Sequence, residues 1–216
     1  MSINLGQNIW ILIGLIFFEL LFIIVPSLIA KIVEKNSFKY QLSEMGFHRN
    51  KDTLIKNLFK IFSGISIGFL FFIIGGYIIS FFLSLVFILF GSEFIRAGVE
   101  GAISTAPVEP DIIQIIILII LQFAIIGICE EAFFRGFLIK KINKKLHISY
   151  AILISSIIFA FYHTPFPLVP ITTLITFFGY YFTFGIMLSL LYLYFDYSLI
   201  PVAIAHGFFN VLIMIF

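Results

Sequence analysis

The sequence predicts an all-α bundle of transmembrane helices, with about six main spans plus short interfacial helices. Three observations carry that prediction. The 216 residues are 62% hydrophobic and only 11% charged, whereas a soluble domain carries about 25% charged residues. Mean hydropathy is +1.17. Apolar runs recur along the chain between short polar connections, several of them long enough for a bilayer core, which takes about 20 helical residues per crossing.

No polar stretch is long enough to fold a separate core, so residues 1–216 form one membrane-embedded domain. The net charge of +2 gives no ground for nucleic-acid binding. The single cysteine, Cys129, excludes an intramolecular disulfide and a multi-cysteine metal site. The N-terminus lacks the basic region and small-residue cleavage site of a signal peptide, so the first span is expected to be retained.

Span one is expected from about Asn8 to Val33, with Glu19 near its middle and Pro26 near its end. Glu19 is read as a protonated or hydrogen-bonded carboxyl facing the bundle, in preference to a functional group. From Lys35 to Lys60, basic residues alternate with Phe38, Tyr40, Leu42, Met45 and Phe47. That mixture suits a segment at the membrane interface or an ordinary solvated loop. Leu58 to Phe90 carries no charge after Lys60 and reads as one long helix kinked near Gly75-Gly76. Gly64 and Gly68 offer close helix packing. Ser92 to Asp111 reads as a polar connection. The third span starts at Asp111, and the fourth runs from about Ser149 to His163. A separate short helix, Ile171 to Thr176, precedes a fifth span from Phe177 to Phe195, and the last runs from Leu199 to Phe216.

Lysine and arginine in short loops mark the cytoplasmic side. Seven basic residues flank the connection between spans one and two (Lys31, Lys35, Lys39, Arg49, Lys51, Lys56, Lys60) and five the connection between three and four (Arg135, Lys140, Lys141, Lys144, Lys145). The connection between two and three has Arg96 alone. Both basic loops then face the cytoplasm, both termini lie outside, and the site described next is expected to open toward the cytoplasm.

The third span holds Gly127-Ile-Cys-Glu-Glu-Ala-Phe-Phe-Arg-Gly136. An ionised side chain at bilayer depth costs several kcal/mol or more, so Glu130, Glu131 and Arg135 require partners, water or a task. Glu131 and Arg135 are four apart and share a helix face, acid first. Glu130 points about 100° away from Glu131, free to face a cavity. Phe159 and His163 are four apart on span four, and His206 and Asn210 on span six. Glu130 lies roughly 15 Å and His206 roughly 10 Å from the basic side at 1.5 Å per residue. His163, at roughly 21 Å, falls deeper than its expected partners. Cys129 reads as a small packing residue, since two adjacent carboxylates oppose thiolate formation. Tyr162, Tyr180 and Tyr181 either line the cavity or sit at interfaces.

Glu130-Glu131-x-x-x-Arg135, Phe159-x-x-x-His163 and His206-x-x-x-Asn210 resemble, in order, the three motifs of the CPBP family of intramembrane proteases, which includes the Rce1-type CaaX prenyl endopeptidases and bacterial relatives linked to bacteriocin immunity. The likeness covers roughly 112–215. It implies that Glu130 acts as general base on a water, that His163 positions that water, and that His206 and Asn210 donate to the oxyanion. It implies further that Glu131 and Arg135 orient the site and that Phe159 packs beneath His163. The implied substrate is a membrane-associated peptide or protein, isoprenylated at a Cys-a-a-X end in the best-known members. Amide hydrolysis needs these parts: an activated water and donors aimed at developing negative charge.

Two chemistries stay open at this point. Glu130, His163 and His206 are also plausible zinc ligands, as three protein groups plus water, although no HExxH pair is present. Direct glutamate catalysis without a cofactor is favoured. Competing functions are a noncatalytic membrane scaffold or bacteriocin-immunity protein of the same fold, and a cation-coupled transporter, which the absence of repeated broken helices disfavours. Substrate identity and oligomeric state are not encoded in these motifs.

Overall fold

The computed structural model describes residues 3–48 and 52–216. Arg49 and Lys51, counted above with the basic loops, lie outside the described residues. Among those residues the chain forms eight helices: α1 (Ile9–Glu34), α2 (Phe38–Met45), α3 (Leu54–Phe90), α4 (Ser92–Glu100), α5 (Ile112–Asn143), α6 (Ile148–His163), α7 (Ile171–Tyr194) and α8 (Leu199–Ile215). A parallel two-residue pairing joins β1 (Ile3–Asn4) to β2 (Ile103–Ser104). The all-α polytopic bundle is as predicted. Helices α1, α3, α5 and α7 are long and apolar enough to cross a membrane. Helices α6 and α8, at 16 and 17 residues, are shorter. This is an integral membrane protein, and its outward faces present Ile32, Ile55, Phe62 and Ile88 for lipid to cover.

Following the chain, α1 tightens to a 3-10 turn over Phe17–Leu20, around Glu19. Helix α3 is one uninterrupted element of 37 residues, about 55 Å long at 1.5 Å per residue. Its Gly64 and Gly68 admit the backbone of α8: a Cβ at Gly68 would lie 2.6 Å from the Ala205 carbonyl oxygen. Gly91 then turns the chain with φ 82°.

Three expectations change. The connection from Ser92 is helical as far as Glu100 and packs on α7, where the Thr173 hydroxyl donates to the Gly98 carbonyl at 2.7 Å. Ile171 to Thr176 is no separate helix but the first turns of α7. Pro170 stands just before that first turn, where a missing N–H is harmless, and Thr173 and Thr176 are buried against α4. Finally, α2 is a helix with one face outward, where Tyr40 is exposed, and the other packed on the bundle. It turns into the bundle, with Gln41 and Met45 at 0% exposure. A Cβ at Gly136 of α5 would stand 2.0 Å from the Met45 carbonyl oxygen, so only glycine lets α2 seat there.

The end of α5 ties this inward turn down. Lys141 pairs with Glu34 at 2.6 Å and donates to Gln41 at 2.9 Å. Lys140 donates to the Glu44 carbonyl at 2.8 Å, and Lys144 to the Glu44 carboxylate at 2.9 Å. That carboxylate holds the Lys144 ammonium above its ordinary pKa. Such exposed pairs contribute about 0–1 kcal/mol each, so the buried Met45 and Gln41 side chains fix α2 more firmly than the lysines do.

The bundle therefore has two unlike ends. At the lysine end lie α2, the turn from α5 to α6 and the start of α8. At the far end lie β1, the connection from α3 to α5 through β2, and the turn from α6 to α7.

Candidate active site

Helices α5, α6 and α8 meet around Glu130. The hydrogen-bond ladder of α5 widens twice to the π pattern, over Gln122–Ile126 and Ala132–Ile139, on either side of the two glutamates. Such wide turns re-aim side chains and concentrate at functional sites. Between them, α5 and α8 touch through backbone. A Cβ at Gly127 would lie 2.6 Å from the Ala203 carbonyl oxygen, and one at Gly207 would lie 2.9 Å from that of Gln122. This approach carries His206 and Asn210 to the face of α5.

The two carboxylates have different surroundings, as their 100° separation on a helix led us to expect. Glu131 is fully buried. Its Oε1 accepts from Arg135 Nη1 at 3.0 Å and lies 2.7 Å from His206 Nδ1. Arg135, also fully buried, donates through Nη2 to the Gly185 carbonyl at 3.1 Å. Its guanidinium stands 4.6 Å over the Phe159 ring, whose centroid is in turn 4.2 Å from that of His163. Glu130, 4% exposed, points elsewhere. Its Oε2 is 3.8 Å from His163 Nε2 and 4.0 Å from His206 Nε2, and has no hydrogen-bond partner among the described residues. These separations exceed hydrogen-bond length and leave room for one small molecule held by all three groups.

Both imidazoles are oriented through Nδ1. His163 Nδ1 lies 3.0 Å from the Phe159 carbonyl oxygen, which can only accept, so its N–H is there and Nε2 faces Glu130 as an acceptor. In His206 the Glu131 carboxylate plays the same part. Asn210 Nδ2 donates to Gln122 Oε1 at 3.0 Å. Sequence reasoning missed the role of Gln122. The signal was an amide in mid-span: between Ile112 and Cys129 the strongly polar side chains are Gln114, in the first turn, and Gln122.

The depth mismatch expected for His163 disappears because the arms of the α5–α6 hairpin are nearly equal. Glu130 precedes Asn143 by 13 residues, and His163 follows Ile148 by 15. Helix α8 starts inside the bundle, where a Cβ on Gly46 would meet the Leu199 side chain at 2.6 Å, so His206 arrives at the same level.

A cavity of about 570 Å³ adjoins Glu130, His163, His206 and Asn210. Tyr162, Tyr180 and Tyr181 line it, as does Glu19, whose carboxylate accepts from the Tyr162 hydroxyl. Glu19 is thus hydrogen-bonded and faces the bundle, yet it also borders the site, with Oε2 unpartnered among the described residues. Cys129 is buried and free. The cavity runs past Leu118 and Met214 to Ile103–Pro107 at the far end. The basic loops and the cavity therefore lie on opposite sides of Glu130, and the expected opening on the lysine side is not what the geometry has. The physical reason is α2, which fills that side. Among the described residues no group of three or more His, Cys, Asp and Glu is disposed to hold a metal ion.

Fold and site together define a class: a polytopic membrane protein with a buried, partner-poor glutamate flanked by two oriented histidines. A family model described as type II CAAX prenyl endopeptidase Rce1-like matches residues 112–212, just under half of the chain and all three motifs. The match makes that segment similar to the Rce1-like endopeptidases. Comparison with curated proteins and with solved structures gave no match.

Proposed function

We propose that the protein is an intramembrane endopeptidase that hydrolyses a peptide bond with a water activated by Glu130. The observation that supports this most is the Glu130 Oε2, unpartnered among the described residues, beside the Nε2 atoms of His163 and His206 at 3.8 and 4.0 Å. A water there donates one hydrogen to Glu130 and the other to His163 Nε2, leaving its lone pair for the carbonyl carbon. Glu130 takes the proton as the C–O bond forms. The oxyanion is met by Asn210, steadied by Gln122, while Glu131 holds the His206 ring beside it. The C–N bond then breaks, and Glu130 returns its proton to the leaving amine. No metal is needed, because base and oxyanion donors suffice for one water.

The family match supports a membrane-associated, prenylated protein as substrate. The test is hydrolysis of a farnesylated peptide ending in Cys-a-a-X by purified protein in detergent. Cleavage after the modified cysteine is expected, and Glu130→Gln should lower it by about 10²–10⁴-fold. Equal turnover by the variant overturns the base assignment. A wild-type protein that cleaves no peptide favours a noncatalytic role for the same fold.

A further inference from the structure

Among the described residues the cavity is lined by two acids, Glu130 and Glu19, and the hydrolysis scheme uses only the first. Glu19 lies on α1, outside the segment that resembles the endopeptidases. The 3-10 turn that carries it, Phe17–Leu20, packs on α5 along residues 122–131. One oxygen of its carboxylate is held: Oε1 accepts from the Tyr162 hydroxyl. The Tyr162 ring is itself wedged, with the ring centroids of Phe22 and Phe134 at 4.9 and 5.8 Å. The other oxygen is free. Of the buried side-chain atoms without a hydrogen-bond partner among the described residues, two belong to residues lining the cavity, Glu130 Oε2 and Glu19 Oε2. Leu12, Ile16, Leu118 and Met214 make much of the remaining wall apolar, and the strap Ile103–Pro107 borders the far end.

A backbone N–H taken out of water needs an acceptor. The C=O and N–H of a trans peptide point to opposite sides, so an amide whose oxygen meets Asn210 turns its N–H away from α8. Glu130 and His163 are occupied with the water. We infer that Glu19 Oε2 accepts the N–H of the scissile peptide and keeps hold of that nitrogen as it leaves. The nitrogen retains its own hydrogen and receives a second from Glu130 as the C–N bond breaks, and the amine so formed stays hydrogen-bonded to Glu19. Tyr162 is the positioning residue, since its hydroxyl fixes which carboxylate oxygen is left for the peptide. This role rests on the hydrolase reading of Glu130.

The test compares the farnesylated peptide with its depsipeptide, in which an ester oxygen replaces the scissile N–H. Glu19→Leu removes the acceptor and places in the span a side chain that lipid favours. It should lower kcat on the peptide about 10–100-fold more than on the ester, the contribution of a hydrogen bond to a charged group. Tyr162→Phe keeps the ring and loses the hydroxyl, and should show the same preference for the ester to a smaller degree. Glu130→Gln, which removes the base, should slow both substrates. Equal losses on peptide and ester in both Glu19→Leu and Tyr162→Phe overturn the inference while leaving the hydrolase reading intact. A peptide rate that neither variant lowers does the same. A wild-type protein that cleaves neither substrate removes the hydrolase reading and the role of Glu19 with it.

Discussion

Glu131 and His206 sit 2.7 Å apart, carboxylate Oε1 against imidazole Nδ1, and the same oxygen accepts from Arg135 at 3.0 Å. One buried carboxylate thus fixes the ring on α8 and the guanidinium on its own helix. It sets which nitrogen of His206 faces Glu130 without touching substrate.

Glu131→Gln keeps the shape but offers an amide that binds either tautomer. Loss of such an orienting partner typically costs about 10–100-fold. The expected outcome is a fall of that size in kcat with KM nearly unchanged, measured on the peptide that wild type cleaves. An unchanged kcat would separate Glu131 from the chemistry.

Arg135→Met leaves Glu131 buried opposite no cation. Removing one member of a buried pair costs about 3–5 kcal/mol, so the variant should unfold at markedly lower temperature in detergent. Arg135→Lys keeps the charge but reaches Glu131 and Gly185 with a single ammonium in place of a fork. It should fall between the two.

Gln122→Leu frees Asn210 from the hydrogen bond that its side chain donates to α5. A net hydrogen bond contributes about 0.5–1.5 kcal/mol, so kcat should drop up to about tenfold. Peptide binding to the catalytically inactive Glu130→Gln protein should change little when Gln122→Leu is added.

Gly136→Ala drives a Cβ to 2.0 Å from the Met45 carbonyl oxygen. Overpacking of this kind costs about 1–3 kcal/mol. Gly76→Ala, with nothing within 4 Å, should be neutral or stabilise by up to about 1 kcal/mol through helix propensity. Thermal unfolding of the two variants side by side separates the packing effect from the propensity effect.

Much of the site could be read in the chain because charge is conspicuous in lipid. Glu130, Glu131, Arg135, His163 and His206 stand out of apolar runs, and their spacings of four fix shared faces. Gln122 did not stand out, because an uncharged amide in a span is inexpensive enough to pass as structural. The seat of α2 was illegible for a different reason. Gln41 and Met45 gain their burial from Gly136, nearly a hundred positions on, and no local pattern marks that contact. The continuity of α7 through Thr173 and Thr176 likewise depends on α4, whose Gly98 supplies the hydroxyl acceptor. The wide turns of α5 flank the glutamates, the first just before Gly127 and the second around Gly136, but single glycines do not specify such turns. They come from how α5 is wedged against α8, which only the assembled bundle determines.

Phe159 packs against both the guanidinium of Arg135, 4.6 Å from its ring centroid, and the imidazole of His163, whose centroid is 4.2 Å away. A ring has no slack along its face normal, so it behaves as a rigid spacer between two anchors on different helices. Sliding α6 along α5 would move His163 and strain the Arg135 clamp at the same time. The water-holding geometry is therefore stiff, and adaptation to new substrates falls to the walls of the cavity, where tyrosines and the strap can shift without disturbing the base.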